Sequence, residues 1–220
     1  MRSIRSAFAL CALIASLLAA SAAVAEESPP AAAPAPMHLL LVRHASAWKN
    51  VPPAQRPRPM SSEELDSLTP QGLARAEAVG RSLAGKGVVA VYASPARRAQ
   101  QTAAAIAKAL GLGAPITNEA FRPLDTGADA AAASGTVRAR NWKSGMDPRP
   151  PGGESLIDGQ TRASAALTQL AKQHAGQTVV VVTHGEIASS LITKAAGQDL
   201  LANYFKNFPD EGSVHELDIP

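Results

Sequence analysis

The chain has 220 residues, 46% of them hydrophobic and only 4% aromatic, with a formal net charge of +3 and a single cysteine. This is enough apolar material for one sizeable core, hence one domain or at most two small ones, and a supply dominated by alanine favours closely packed helices over a β-sandwich rich in large side chains. One cysteine excludes a disulfide scaffold, and the absence of a dense basic face argues against a nucleic-acid partner.

Residues 1–25 have the three parts of a secretory signal: Arg2 and Arg5 form a positive start, Ala7 to Ala20 is an uncharged apolar run, and Ala23-Val24-Ala25 is a small-x-small cleavage site. The apolar run is short for a membrane span, which needs about 20 residues. The expectation is therefore an exported, periplasmic protein with no stable membrane anchor after cleavage. Cleavage removes Cys11, and with it thiolate catalysis and any cysteine metal site. It also removes two positive charges, which brings the net charge close to neutral. Residues 26–36 (EESPPAAAPAP) form a Pro/Ala-rich linker, so the folded domain is expected to cover 37–220.

Three short runs in the domain are almost wholly apolar instead of alternating: His38–Val42, Val88–Tyr92 and Thr178–Val182. That is the pattern of strands covered on both faces, as in a parallel sheet. Helices are expected between them. Pro70–Ala84 follows Thr69 as N-cap and ends near Gly85, and Pro95–Leu110 closes at Gly111; Glu154–His174 and Glu186–Ala196 complete the set. Ser213–Asp218 is a candidate last strand. The alternation predicts an α/β fold, a three-layer α/β/α arrangement around a mostly parallel central sheet. Ala45–Leu68 and Thr117–Gly153 are expected to be long irregular segments over the sheet edge.

In open α/β sheets ligands bind beyond the carboxyl ends of the strands. There the first strand leads into Arg43-His44, the second into Ser94-Pro95-Ala96-Arg97-Arg98 and the third into Thr183-His184-Gly185. Two histidines and up to three arginines thus converge on one rim. A single such His is usually structural, and two arginines at a helix start are usually solvated. Cations are also disfavoured at a helix N-terminus, a conflict that a bound anion would remove.

Four segments, taken in order, resemble the histidine phosphatase superfamily, also called phosphoglycerate mutase-like. LVRHASA resembles its Arg-His-Gly signature and LTPQGLARAEAVGRSL its Leu-Thr-x-x-Gly helix. ASPARRAQQTA resembles its Ser-x-x-x-Arg-Ala-x-Gln-Thr-Ala segment and VVVVTHGEI its second-histidine motif, while PPGGES resembles a loop found in many members. The likeness spans about Met37 to Ala196. It implies that His44 is the nucleophile, Arg43 and Arg98 are phosphate clamps, His184 is the second histidine, and Arg97 is an exposed neighbour. A neutral imidazole attacks phosphorus in line, with its other nitrogen held by an acceptor such as a backbone carbonyl, while the arginines and His184 carry the charge of the phosphoryl oxygens. The implied partner is a phosphorylated small molecule, and the implied chemistry needs neither cofactor nor metal.

Some positions depart from the family's pattern. Ala45 stands where the glycine after the histidine is expected, and Pro123 where many members have a proton-donating Glu. Asp125 is the nearest carboxylate and takes the acid's role in this reading, with Asp129 and Glu119 as rivals. An asparagine that binds phosphate in many relatives is matched by type at Asn50, one residue beyond Lys49. Glu154 either lines the pocket or complements a helix dipole, and Arg56, Arg58 and Lys143 either attract anionic substrates or are solvated. Two alternatives accompany the phosphatase reading: a catalytically weak phosphate-binding module, and a phosphomutase.

Overall fold

The computed structural model describes residues 34–128 and 135–220. The expected signal at 1–25, most of the 26–36 linker, and Asp129 lie outside the described residues. The first strand, β1 (Met37–Arg43), is followed by a short helix, α1 (Ser62–Leu65), and by α2 (Pro70–Ser82). Next come β2 (Val88–Ala93), α3 (Arg97–Ala109), the two-residue β3 (Ile116–Thr117) and α4 (Gly135–Lys143). The chain closes with α5 (Leu156–Gln173), β4 (Thr178–Thr183), α6 (Gly185–Ala195), the short α7 (Leu200–Asn203) and β5 (Val214–Ile219).

The five strands form one mixed sheet in the order β3-β2-β4-β1-β5. β1, β2, β3 and β4 run parallel, and β5 pairs antiparallel with β1. Strand periodicity divides the core in two. Leu39, Leu41, Val179 and Val181 face one cluster with Leu156, Leu167 and Leu170 of α5 and with Ile187 and Leu191 of α6. Leu40, Val42, Val180 and Val182 face the other, with Val79 of α2 and Ala99, Ala103 and Ile106 of α3. Both faces of the central strands are thus covered, which is why their sequences are continuously apolar. Burying one such Val or Leu contributes about 1.5–3 kcal/mol.

Helix starts follow local chemistry. Thr69 caps α2 by accepting the Gly72 amide at 2.9 Å, with Pro70 in the first turn. Ser155 and Asp158 form a capping box at α5, which starts two residues later than expected from Glu154. Four elements were not anticipated: α1, β3 and α7 are too short to leave a pattern, and α4 buries only Trp142, so it carries almost no apolar periodicity. The segment 45–68 also contains short helical turns, at Trp48–Asn50 and Pro53–Gln55, besides α1. Among the described residues no helix is long and apolar enough to cross a membrane.

The ladder continues past the strands just where the polar residues begin. The His44 amide donates to the Thr183 carbonyl at 2.9 Å and the Ser94 amide to the Val182 carbonyl at 3.0 Å. The first residues beyond β1, β2 and β4 are therefore neighbours at one sheet edge.

Candidate active site

His44, Arg98 and His184 are all buried and in direct contact. The Nδ1 of His44 faces the carbonyl oxygen of Ala45 at 2.8 Å, so it carries the proton. Its Nε2 then holds the lone pair, which accepts from Arg98 Nε at 3.0 Å. Arg98 Nη2 donates to Nδ1 of His184 at 2.7 Å, and the opposite nitrogen, Nε2, donates to Ser94 Oγ, also at 2.7 Å. The two imidazoles lie 5.3 Å apart, centroid to centroid. Burial, and then the charge of Arg98, lowers the His44 pKa to about 3 and holds His184 well below the ordinary histidine value. Both rings are neutral near pH 7, each with one nitrogen presented to Arg98.

Arg98 has a third partner, Asp66, which pairs with its Nη1. The other oxygen of Asp66 accepts the Arg97 amide at 2.8 Å, the first amide of α3. This internal carboxylate resolves the conflict of two arginines at a helix N-terminus, where the sequence suggested a bound anion. Arg97 itself is exposed and pairs with Glu63. The rest of the AQQTA segment is a set of ties to neighbouring loops. Gln100 Nε2 donates to the Ser94 carbonyl at 2.6 Å, Gln101 Oε1 accepts the Leu68 amide at 2.7 Å, and Thr102 Oγ1 accepts the Ala45 amide at 3.1 Å.

Arg43 lies on the other side of His44. Its Nη1 donates to the Pro209 carbonyl at 2.8 Å, its Nη2 reaches Glu211 at 3.4 Å, and its guanidinium sits 5.0 Å from the centre of the Phe208 ring. Its Nε is buried and has no partner among the described residues. Glu211 also accepts from Asn50 and, at 2.5 Å, from Ser46 Oγ. Asn50 thus stands on the same rim as Arg43 but is turned to an internal carboxylate. Lys49 is exposed beside the pocket; desolvation and the charge of Arg98 hold it below the usual lysine range.

The remaining carboxylates are placed differently. Asp125 is exposed, and its Oδ1 accepts the Gly127 amide at 2.9 Å, a side-chain turn that makes no hydrogen bond to Arg43, His44, Arg98 or His184. Glu119 is exposed in a short helical turn. Glu154 stands directly before Ser155, the N-cap of α5. It is clamped by Arg122 and Arg162 and receives the Asp125 amide, so it ties three segments together. Arg56 donates to the Val51 carbonyl, Arg58 pairs with Glu64, and Lys143 lies over the Phe205 ring. Sequence reasoning missed Asp66 and Glu211, which sit in irregular segments with no local pattern; it named Ser94, first residue of the Ser-x-x-x-Arg-Ala segment after a strand, without giving it a role.

Among the described residues no three His, Cys, Asp or Glu side chains are grouped so as to hold a metal ion. The arrangement offers a neutral imidazole with a directed lone pair, a second neutral imidazole, two arginines and an adjacent lysine. That combination can bind a tetrahedral anion and attack its central atom.

Comparison with known proteins gives a consistent result. The model of the "Histidine phosphatase superfamily (branch 1)" matches residues 39–220. A 2,3-bisphosphoglycerate-dependent phosphoglycerate mutase of Methylobacterium radiotolerans is 35% identical over 168 residues, covering 70% of this chain and 76% of the relative. A metal-independent phosphoserine phosphatase of Arabidopsis thaliana is 29% identical over 185 residues, 75% of this chain and 72% of the relative. Among solved structures, a mycobacterial glucosyl-3-phosphoglycerate phosphatase complexed with VO3 superposes with a TM-score of 0.65 at 23% identity, over 81% of this chain and 90% of that one. At that identity the likeness is one of fold.

Proposed function

Because the chain belongs to the histidine phosphatase superfamily, we propose that it releases phosphate from a phosphorylated small molecule through a phosphohistidine on Nε2 of His44. The observation that carries this reading is the fixed tautomer: the Ala45 carbonyl holds the proton on Nδ1, and the free lone pair points to Arg98.

The substrate's phosphoryl oxygens take over the N–H groups that Arg98 now gives to the histidines, and the unpartnered Nε of Arg43 offers a further donor. This exchange uncovers the Nε2 lone pair of His44. Nε2 attacks phosphorus, the bond to the leaving oxygen breaks in line, and the charge of the transferring group is carried by Arg43, Arg98 and a His184 protonated next to the anion. Water then attacks the phosphorus of the phosphohistidine, releasing phosphate and restoring Nε2. The pattern of hydrogen bonds commits no carboxylate to the leaving oxygen, so leaving groups that depart with little protonation fit best. Asn50 joins the phosphate ligands only by exchanging Glu211 for the substrate.

The test is release of phosphate from p-nitrophenyl phosphate. Turnover that persists in the presence of a chelator and is abolished in His44→Ala supports the reading; a wild type that binds phosphate and releases none overturns it in favour of a binding module. The identity to a phosphoglycerate mutase favours a second reading, phosphoryl transfer between the hydroxyls of one substrate. With 3-phosphoglycerate and a trace of 2,3-bisphosphoglycerate, a mutase yields 2-phosphoglycerate and little free phosphate, whereas the phosphatase yields phosphate. On its N-terminal pattern we also propose export to the periplasm. Cleavage after Ala25, read from the N-terminus of the secreted protein, tests this.

A further inference from the structure

Three donors on the pocket rim converge on one internal carboxylate. Glu211 accepts from Arg43 Nη2 at 3.4 Å, from Ser46 Oγ at 2.5 Å and from Asn50 Nδ2. Arg43 and Asn50 both bond Oε1, whereas Ser46 alone bonds Oε2. An ionised carboxylate has about four lone-pair sites, so Oε2 keeps one to spare. The Glu211 side chain is 24% exposed, which leaves that site open to a ligand.

The backbone on both sides holds this carboxylate at the rim. The Gly212 amide is shared between the carbonyls of Arg43 and His44, at 3.1 and 3.3 Å. The Pro209 carbonyl accepts from Arg43 Nη1, and Phe208 packs on the same guanidinium. Arg75 of α2 donates from Nε to the Gly212 carbonyl at 3.2 Å. Swinging the side chain away would strip Arg43, Ser46 and Asn50 of their acceptor together. A phosphoryl group drawn to Arg43 and Arg98 therefore meets Glu211 in place. Besides Arg43, the charged groups beside this segment are Arg75 and Asp210, and neither forms an ion pair with Glu211 among the described residues.

An anion with no proton to share is repelled by a neighbouring carboxylate. An oxyanion that carries an O–H can instead donate it to Oε2, while its other oxygens accept from Arg43 and Arg98. We propose that Glu211 is a specificity-determining residue that admits protonated phosphoryl groups and rejects oxyanions with no proton. The ester then binds as its monoanion, with its O–H on Glu211. The proposal rests on the phosphoryl pocket read at His44 and deepens that reading.

Inorganic phosphate and sulfate test it. In mildly alkaline buffer both are tetrahedral dianions of similar size, but only phosphate retains an O–H. Calorimetric titration of the wild type should show phosphate bound about tenfold or more tighter than sulfate, the size of one charged hydrogen bond. Glu211→Gln removes the charge and offers N–H donors, and should bring the two dissociation constants close together. Glu211→Ala removes the acceptor altogether and should do the same. Each ratio is taken within one preparation, so a loss of folded protein divides out. A wild type that binds the two anions equally, or binds neither, overturns the selection, and so does a ratio that either variant leaves unmoved. Titration reads binding without turnover, so the two readings fail separately. If the ratio is flat and p-nitrophenyl phosphate is turned over, hydrolysis stands without this selection. If phosphate is selected and p-nitrophenyl phosphate is inert, Glu211 keeps its role in a binding module and the hydrolytic reading falls.

Discussion

Arg98 donates through Nε to Nε2 of His44 at 3.0 Å, so the resting protein places a guanidinium on the very lone pair that would attack phosphorus. The contact requires a neutral His44 and keeps its nucleophilic nitrogen covered until an anion competes for Arg98. The same guanidinium also reaches His184 and Asp66, so binding of a phosphoryl group would rearrange both histidines at once.

The first prediction concerns acid. His44 is neutral in the folded chain down to about pH 3, whereas an unfolded histidine takes a proton near 6.5. Its folded pKa is depressed, so the unfolded state binds more protons between those values, and stability is lost as pH falls from about 6.5 towards 3. The loss from this residue is at most about 5 kcal/mol, and His184 adds to it in the same direction. Nuclear magnetic resonance of labelled imidazoles should show His44 as the Nδ1–H tautomer with no titration near pH 6.5. Denaturant titrations should show midpoints falling over the same range.

Asp66 acts through Arg98 and is a positioning residue. Asp66→Ala frees the guanidinium and the first amide of α3, and should lower kcat/KM for an aryl phosphate roughly tenfold to a hundredfold. Asp66→Asn keeps an oxygen acceptor and should recover most of that loss. Equal losses in both variants would leave only a general structural role for Asp66.

For Asp125 the expected effect is small. Its carboxylate is exposed and engaged by the Gly127 amide, a bond that an asparagine side chain also makes. Asp125→Asn should change kcat for alkyl and aryl phosphates alike and within about twofold, the scale of a surface substitution. A selective loss on alkyl phosphates would instead establish it as the acid.

Gly72 marks a close approach between α2 and the segment after His44. A Cβ there would lie 2.0 Å from the Ser46 carbonyl oxygen, which accepts the Thr69 amide at 2.9 Å. Gly72→Ala should therefore destabilise the fold by about 1–3 kcal/mol, read from the denaturation midpoint.

Much of this architecture was legible because two faces of one sheet leave a strong trace. The apolar runs HLLLV and TVVVV are continuous since Leu39 and Leu40 face opposite layers, and the polar residues where the strands end are Arg43, His44, Ser94 and His184. The rest depended on contacts between distant segments. Asp66 lies more than thirty residues before Arg98, and Glu211 is 168 residues from Arg43, so no periodicity links them. Helix α4 stayed hidden because it buries only Trp142. Asp125 was singled out by position in the chain, whereas the direction of its side chain is set by a local turn that spacing does not reveal.

The most direct test of a phosphohistidine on His44 is to quench the reaction with a ³²P-labelled substrate and map the label. A label that is acid-labile, base-stable and confined to the peptide carrying His44, and that is lost in His44→Asn, is the predicted result. Turnover with no trapped label at any quench time, or a label on a different residue, would contradict it.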